Sequence, residues 1–271
     1  MNFNPLPRGN MLRRLLVYLL LLMAATPVSA LNYTDIYYVA GESGYGFNVV
    51  QSDGFMFVTF FVYGPARTPT WYSAELRADG NGNFTGPLYA TSGSWYGNAW
   101  DSQSLTRSQV GTASFLPTNP YTATFSYTVT TPPAMAATAT KTIQRQTLTA
   151  ITLSGTYFGG QSGVYSGCGS PANNGPYTDG FDLQVTQSPT GDVTFQFTYA
   201  SGMSCTLRGT LLQYGQLYTV PGTAYSCSDG LNTTATLSEI KATSLGIEGR
   251  LSALAVGGGC REDATFAGTL H

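Results

Sequence analysis

Charged side chains are scarce in this chain, at 10% of 271 residues, and histidine is nearly missing, with His271 the single example. Without an imidazole to pair with a nucleophile, a Ser-His-Asp or Cys-His arrangement has no base. The strained G-x-S-x-G turn is lacking too, because GESGY (41–45) and GQSGV (160–164) both misplace the second glycine. Zinc is excluded on similar grounds: no CxxC spacing occurs, and imidazole ligands are not available. The charge balance is slightly acidic, 12 Lys+Arg against 14 Asp+Glu. Three of the basic residues are Arg8, Arg13 and Arg14, so residues 31–271 carry nine against fourteen, a formal charge of −5. A nucleic-acid partner needs a basic footprint, and there is none. No cofactor motif is present either: Gly159-Gly160 and Gly257-Gly258-Gly259 lack the helix and lysine of a phosphate cradle and read as loops and bends.

What is present starts with a leader. The three arginines precede the apolar run Leu15–Ala25, then Pro27 and the compact residues Val28, Ser29 and Ala30, which suit signal-peptide cleavage before Leu31. The run is shorter than the roughly 20 residues that cross a bilayer, and a retained signal anchor is the alternative. Residues 1–30 are therefore expected to be a signal peptide, and the mature chain to be exported, to the periplasm or beyond, with no transmembrane helix. All four cysteines, Cys168, Cys205, Cys227 and Cys260, lie in the second half. In an exported protein they predict two disulfides. Three connectivities are possible. Cys205–Cys227 is favoured because it bridges strands flanking a hairpin at Gln213-Tyr214-Gly215, leaving Cys168–Cys260.

Period-two alternation recurs along the chain, and no long segment has a helical period. In 55–62, Phe55, Phe57, Thr59 and Phe61 alternate with Met56, Val58, Phe60 and Val62. Both sets are largely apolar, so this strand is expected to be covered on both faces or to sit inside a curled sheet. Strands are also expected at 71–77, 84–89, 121–129 and 138–148, with a hairpin tip at Pro132-Pro133. From Leu148 the pattern restarts, first as a strand ending in a glycine-rich bend at Gly159-Gly160. Further short strands follow at the spacing of a meander barrel, with turns at 189–192 and 228–230. The expected fold is all-β: an antiparallel meander sheet or partial barrel over 31–147, then a small disulfide-tied barrel of about eight strands over 148–271.

The run Glu42-Ser43-Gly44-Tyr45-Gly46-Phe47-Asn48, followed by Pro69-Thr70-Trp71-Tyr72 and by Gly86-Pro87-Leu88-Tyr89 with Gly93, resembles a module of exported proteobacterial proteins. That module reads ESGxGxN, PxWY, GxLYxxxG, and the likeness covers about residues 36–147. The resemblance implies export and β structure, and it brings no catalytic residue with it.

Three constellations carry candidate chemistry. Asp79-Gly80-Asn81-Gly82-Asn83 imitates the start of a calcium loop, but Phe84 and Ala90 break the pattern, and a hairpin turn explains it. Glu42 is the first suspect for a carboxylate-dependent, glycosidase-like hydrolase, which needs a second acid nearby. The competing reading makes it an acceptor for backbone N–H groups in the Gly44/Gly46 turn. The aromatics are the most informative. All three tryptophans fall between residues 71 and 100. Trp95, Tyr96, Trp100 and Asp101 share a Gly/Ser/Asn-rich loop, with Tyr72 a further candidate. Flat rings beside amide and carboxyl groups suit sugar rings or a protein contact; the other reading is a satellite core under a long loop. Trp71, inside a strand, is expected to be structural. Three functions remain open: a non-catalytic binding protein for a polysaccharide or another envelope component, the carboxylate-dependent hydrolase, and a carrier of a small apolar ligand inside the second barrel. An outer-membrane barrel is a further class, disfavoured by the polar residues on both strand faces. The first is the reading adopted.

Overall fold

The structure is a computed structural model that describes residues 31–271. The leader, residues 1–30, lies outside the described residues. Among them no helix is long and apolar enough to cross a membrane.

The all-β expectation holds. Eight strands form the first sheet: β1 (Asp35–Tyr38), β2 (Gly46–Ser52), β3 (Phe55–Tyr63), β4 (Pro69–Ala78), β5 (Phe84–Ser92), β6 (Thr106–Pro117), β7 (Thr122–Val129) and β8 (Ala137–Arg145). Each pairs antiparallel with the next, and β1 pairs with β8, so the sheet closes into a barrel rather than remaining partial. Closure removes free edges, which would otherwise template aggregation. The seam is short, Tyr37 opposite Arg145 and Tyr38 opposite Gln144. Arg145 reinforces it. Its Nη1 donates to Asp35 Oδ2 at 2.9 Å and to the Thr34 carbonyl at 3.2 Å, and its Nε donates to the Pro120 carbonyl at 2.9 Å.

The interior of this barrel is solid with side chains. Alternation sends Met56, Val58, Phe60 and Val62 inward. Phe60 sits at the centre, with ring centroids of Phe47, Tyr72, Phe125 and Tyr127 between 4.9 and 5.7 Å away. An apolar inside with Thr, Ser and Gln on the outside is the inverse of a lipid-embedded barrel. Of the two expectations for β3, the curled sheet holds and cover on both faces does not. Phe57, Phe61 and Tyr63 are exposed, because the second face of a closed barrel wall has nothing packed on it.

The second sheet contains β9 (Gly155–Ser166), β10 (Gly175–Gln187), β11 (Asp192–Tyr199), β12 (Ser204–Thr210), β13 (Leu212–Tyr214), β14 (Leu217–Cys227), β15 (Asn232–Ala242), β16 (Gly246–Val256) and β17 (Cys260–Leu270). Its order runs β12-β11-β10-β9-β17-β16-β15-β14-β13, and β12 also pairs with β14, closing a ring from which the short β13 projects. Disulfides join Cys205 to Cys227 and Cys168 to Cys260. Cys205 and Cys227 are directly opposite across the β12–β14 contact that completes the ring.

Two local expectations fail. Strand β8 stops at Arg145, and residues 146–154 are not strand, although they read as β-prone. Gly159 and Gly160 are no bend; they lie within β9. A Cβ on Gly159 would come within 1.9 Å of the Ala267 carbonyl oxygen, and one on Gly163 within 2.8 Å of the Tyr177 ring. These glycines allow β17 and an inward tyrosine to approach closely, a role invisible in a local pattern.

Candidate functional site

The aromatic loop leaves the barrel between β5 and β6, where the Ser92 and Thr106 hydroxyls meet at 2.6 Å. Its base is tied by small polar groups. Asp101 N–H donates to Ser94 Oγ at 3.0 Å, Ser94 and Ser104 hydroxyls meet at 2.7 Å, and Asp101 Oδ1 accepts from Gln103 N–H at 2.9 Å. Asp101 thereby caps the 3-10 turn Ser102–Ser104, so its carboxylate serves the loop's own backbone. At the loop's crown, Asn98 N–H bonds the Trp95 carbonyl at 2.9 Å, and the Trp95 ring lies over Gly97, where any Cβ would approach it to 2.5 Å.

No satellite core forms beneath these rings. Trp95 is 64% exposed, Trp100 70% and Tyr96 95%. Trp95 and Tyr96 are mutual neighbours, 5.7 Å between centroids. Exposed rings held on a hydrogen-bonded loop lose little freedom when a ligand stacks on them.

Tyr72 is not brought to this surface. Alternation turns it inward, 5% exposed against Phe60, and burial raises its phenol above the ordinary value. The strand neighbour thought structural, Trp71, is the outward one, 47% exposed and directly opposite Phe61 on β3. Being in a strand does not bury a residue when the strand belongs to a barrel wall. Trp71 and Tyr63 sit at the end of the β3–β4 hairpin, and Ser73 of β4 pairs with Tyr89 of β5, so the loop that follows Ser92 leaves from that same end of the barrel. On the adjoining wall Arg107 lies over the Tyr89 ring at 3.6 Å and pairs with Glu75. Phe61, Trp71, Tyr63 and the loop rings were not grouped beforehand, because they come from β3, β4 and the loop after β5 and only strand pairing brings these to one end of the barrel.

The other candidates resolve differently. The Glu42 carboxylate faces Lys141 Nζ at 2.7 and 3.0 Å, neither a second acid nor turn amides, and that pairing raises the Lys141 pKa. The Asp79 carboxylate accepts from Asn81 and Asn83 backbone N–H groups at 2.7 and 3.2 Å, holding its pKa low inside a hairpin turn. In the second ring Phe195, Phe197, Leu183, Leu237 and Ile240 are buried in one apolar cluster. Its disulfide end instead buries a carboxyl, Glu262, among tyrosines. Sequence reasoning passed over that cluster, whose only local signal is a glutamate at an inward position of an alternating strand.

No family model matches the chain, and no curated protein matches it. Among solved structures, a double mutant of the vaccine antigen transferrin binding protein B from Haemophilus parasuis Hp5 aligns over 81% of this chain and 67% of its own. The identity is 11% and the TM-score 0.31. A protein of unknown function from the DUF3598 family of Nostoc punctiforme PCC 73102 aligns over 87% of this chain and 93% of its own, with 9% identity and a TM-score of 0.24. Likenesses this distant bear on no ligand.

Proposed function

We propose that this is a non-catalytic binding protein acting outside the cytoplasm, and that it holds an envelope polysaccharide on the aromatic end of its first barrel. One observation carries the reading: Trp71, Trp95, Trp100, Tyr96 and Tyr63 stand exposed at one end of a rigid barrel that has no need of them for its core. Large exposed rings at one end of a domain mark contact sites. The surrounding groups, Ser94, Asn98, Asp101 and Gln103, are small and polar, which favours hydroxyl partners over a charged surface. Two disulfides fit an oxidising compartment, in keeping with the exported module that residues 36–147 resemble. Against the glycosidase-like reading, the Glu42 carboxylate is bonded to Lys141 Nζ and not set opposite a second acid.

The test is retention on immobilised envelope polysaccharides and on a glycan array, with the oxidised mature chain. Saccharide-specific binding should fall at least tenfold in Trp95→Ala and in Trp100→Ala. Because both side chains are mostly exposed, each variant should keep its stability within about 0.5 kcal/mol. No retention on any saccharide, or binding untouched by both substitutions, would falsify the proposal.

A further inference from the structure

The inward face of the second ring is apolar along most of its length and changes character at the disulfide end. Glu262 of β17 is 1% exposed there. A directional chain of hydrogen bonds ends on it. Tyr199 hydroxyl donates to Gln161 Oε1 at 3.2 Å, Gln161 Nε2 donates to the Tyr177 hydroxyl at 3.3 Å, and Tyr177 donates its own proton to Glu262 Oε1. Each member spends its donor toward the carboxyl, so Oε1 is held as an acceptor. The second oxygen is different: Glu262 Oε2 is buried and makes no hydrogen bond of good geometry, although the Tyr165 and Tyr225 hydroxyls lie close enough to favour the carboxylate. Leaving such an atom unpaired is costly, more so for a charged group, and an unpaired buried acceptor calls for a donor.

Beside it is a cavity of about 220 Å³, whose wall includes Glu262, Tyr165, Tyr225, Met203, Leu231 and Val256. Both disulfides border it through Cys227 and Cys260, so the rim is covalently braced. The lining contains no lysine, arginine or histidine, and its other acidic side chain is Asp229. The Tyr165 and Tyr177 rings stack at 4.6 Å, and Tyr165 and Tyr225 give the cavity wall its aromatic surface. A negative group with an unused acceptor, an aromatic surface and an apolar wall of Met203, Leu231 and Val256 are complementary to a cation that carries N–H groups and a short hydrocarbon chain.

We propose that the disulfide end of the second ring is a binding site for a small primary ammonium compound, its N–H groups bonded to Glu262 Oε2 and its hydrocarbon part against Met203, Leu231 and Val256. This site is separate from the aromatic end of the first barrel, and either one stands if the other fails. It also differs from an apolar-ligand chamber, because a purely apolar guest would desolvate the carboxyl and give it no donor.

Calorimetric titration of the oxidised full chain with n-butylammonium, n-butanol and butyrate tests it. The ammonium should bind, with the alcohol at least tenfold weaker and the carboxylate not detected. Glu262→Gln keeps the shape and the acceptor for Tyr177, and should weaken the ammonium at least tenfold while leaving the alcohol unchanged. Leu231→Trp, which fills the cavity from its edge, should abolish binding of both and serves if the Gln variant does not fold. The wild-type comparison needs no variant at all. Absence of ammonium binding at millimolar concentration, equal binding of ammonium and alcohol, or ammonium binding unchanged in Glu262→Gln overturns the proposal and leaves Oε2 to an ordered water.

Discussion

Replacing Arg145 by alanine should be among the most damaging single changes in the first barrel. The side chain is almost fully buried, as is that of its partner Asp35. It makes a 2.9 Å ion pair, bonds two backbone carbonyls, and holds its guanidinium 5.5 Å from the Tyr37 ring centre. Truncation leaves the Asp35 carboxylate buried beside two carbonyls that have lost a donor. Removing one partner of a buried pair costs about 3–5 kcal/mol. For a chain of this size each kcal/mol lowers Tm by roughly 2–4 °C, so a fall on the order of 10 °C is expected. Asp35→Asn should cost less, about 1.5–3 kcal/mol, because the guanidinium keeps its carbonyl acceptors. In the double variant Asp35→Asn with Arg145→Met, no unpaired charge remains, and the loss should be smaller than the sum of the singles by about 1–3 kcal/mol. Urea unfolding followed by circular dichroism, with calorimetry for Tm, measures all three. If Arg145→Ala loses under 1 kcal/mol, or the singles add without coupling, the seam does not depend on this pair.

Other consequences follow from specific contacts. Gly215 has φ +64°, and a Cβ there would come within 2.6 Å of both Arg145 Cβ and Asp35 Oδ2; Gly215→Ala should therefore destabilise by about 2 kcal/mol or more, seen as a lower urea midpoint. The two disulfides close loops of different length, with separations of 92 and 22. On chain entropy, Cys168→Ser/Cys260→Ser should cost about 5 kcal/mol and Cys205→Ser/Cys227→Ser about 3, and a reversed order by thermal melting would point to native-state strain instead. The Glu262 carboxyl is raised above its ordinary value of 4.5, first by burial, against the pull of the Tyr177, Tyr225 and Tyr165 hydroxyls. A carboxyl that keeps its proton longer when folded stabilises the fold below about pH 4.5, and that contribution is lost as pH rises through the raised value. Around it, Tyr165 is pushed up to about 12 and Tyr177, Tyr199 and Tyr225 are raised further, so none of the four titrates in this window. Of the nearby acids, Asp263 is held low by Arg261, Asp179 adds its charge, and Asp229 sits at the cavity. Glu262→Gln should flatten the decline of Tm above pH 4.5, and an identical profile in the variant would show that another group, such as the also-raised Glu239, governs it.

How much could be read before folding depends on the range of the interaction involved. Alternation is a property of neighbours two apart, so the all-β class, most strands and the inward set of β3 were legible from Met56, Val58, Phe60 and Val62 alone. Turn chemistry is equally local, and Asp79–Asn83 forms the hairpin its Gly and Asn residues imply. Strand β6 was not recognised, because its first half, Thr106–Gln109, is polar on both faces and gives no period. The exposed loop rings were legible as candidates, whereas the partition of Trp71 outward and Tyr72 inward was not, since a one-residue shift of register exchanges the two.

What the amino-acid order determined by itself, then, is the strand class, the turns and the presence of a conspicuous aromatic loop. Only the tertiary structure decided which aromatics share a surface, which carboxylates are neutralised, and where a polar cluster is buried. Tyr165, Tyr177, Tyr199, Tyr225 and Glu262 come from β9, β10, β11, β14 and β17, and ring closure is what gathers them. Closure depends on register across strands distant in sequence, and no local pattern encodes it. The same reason accounts for Gly159 and Gly163: they look like loop punctuation along the chain, and become packing surfaces only once β17 and Tyr177 lie against them.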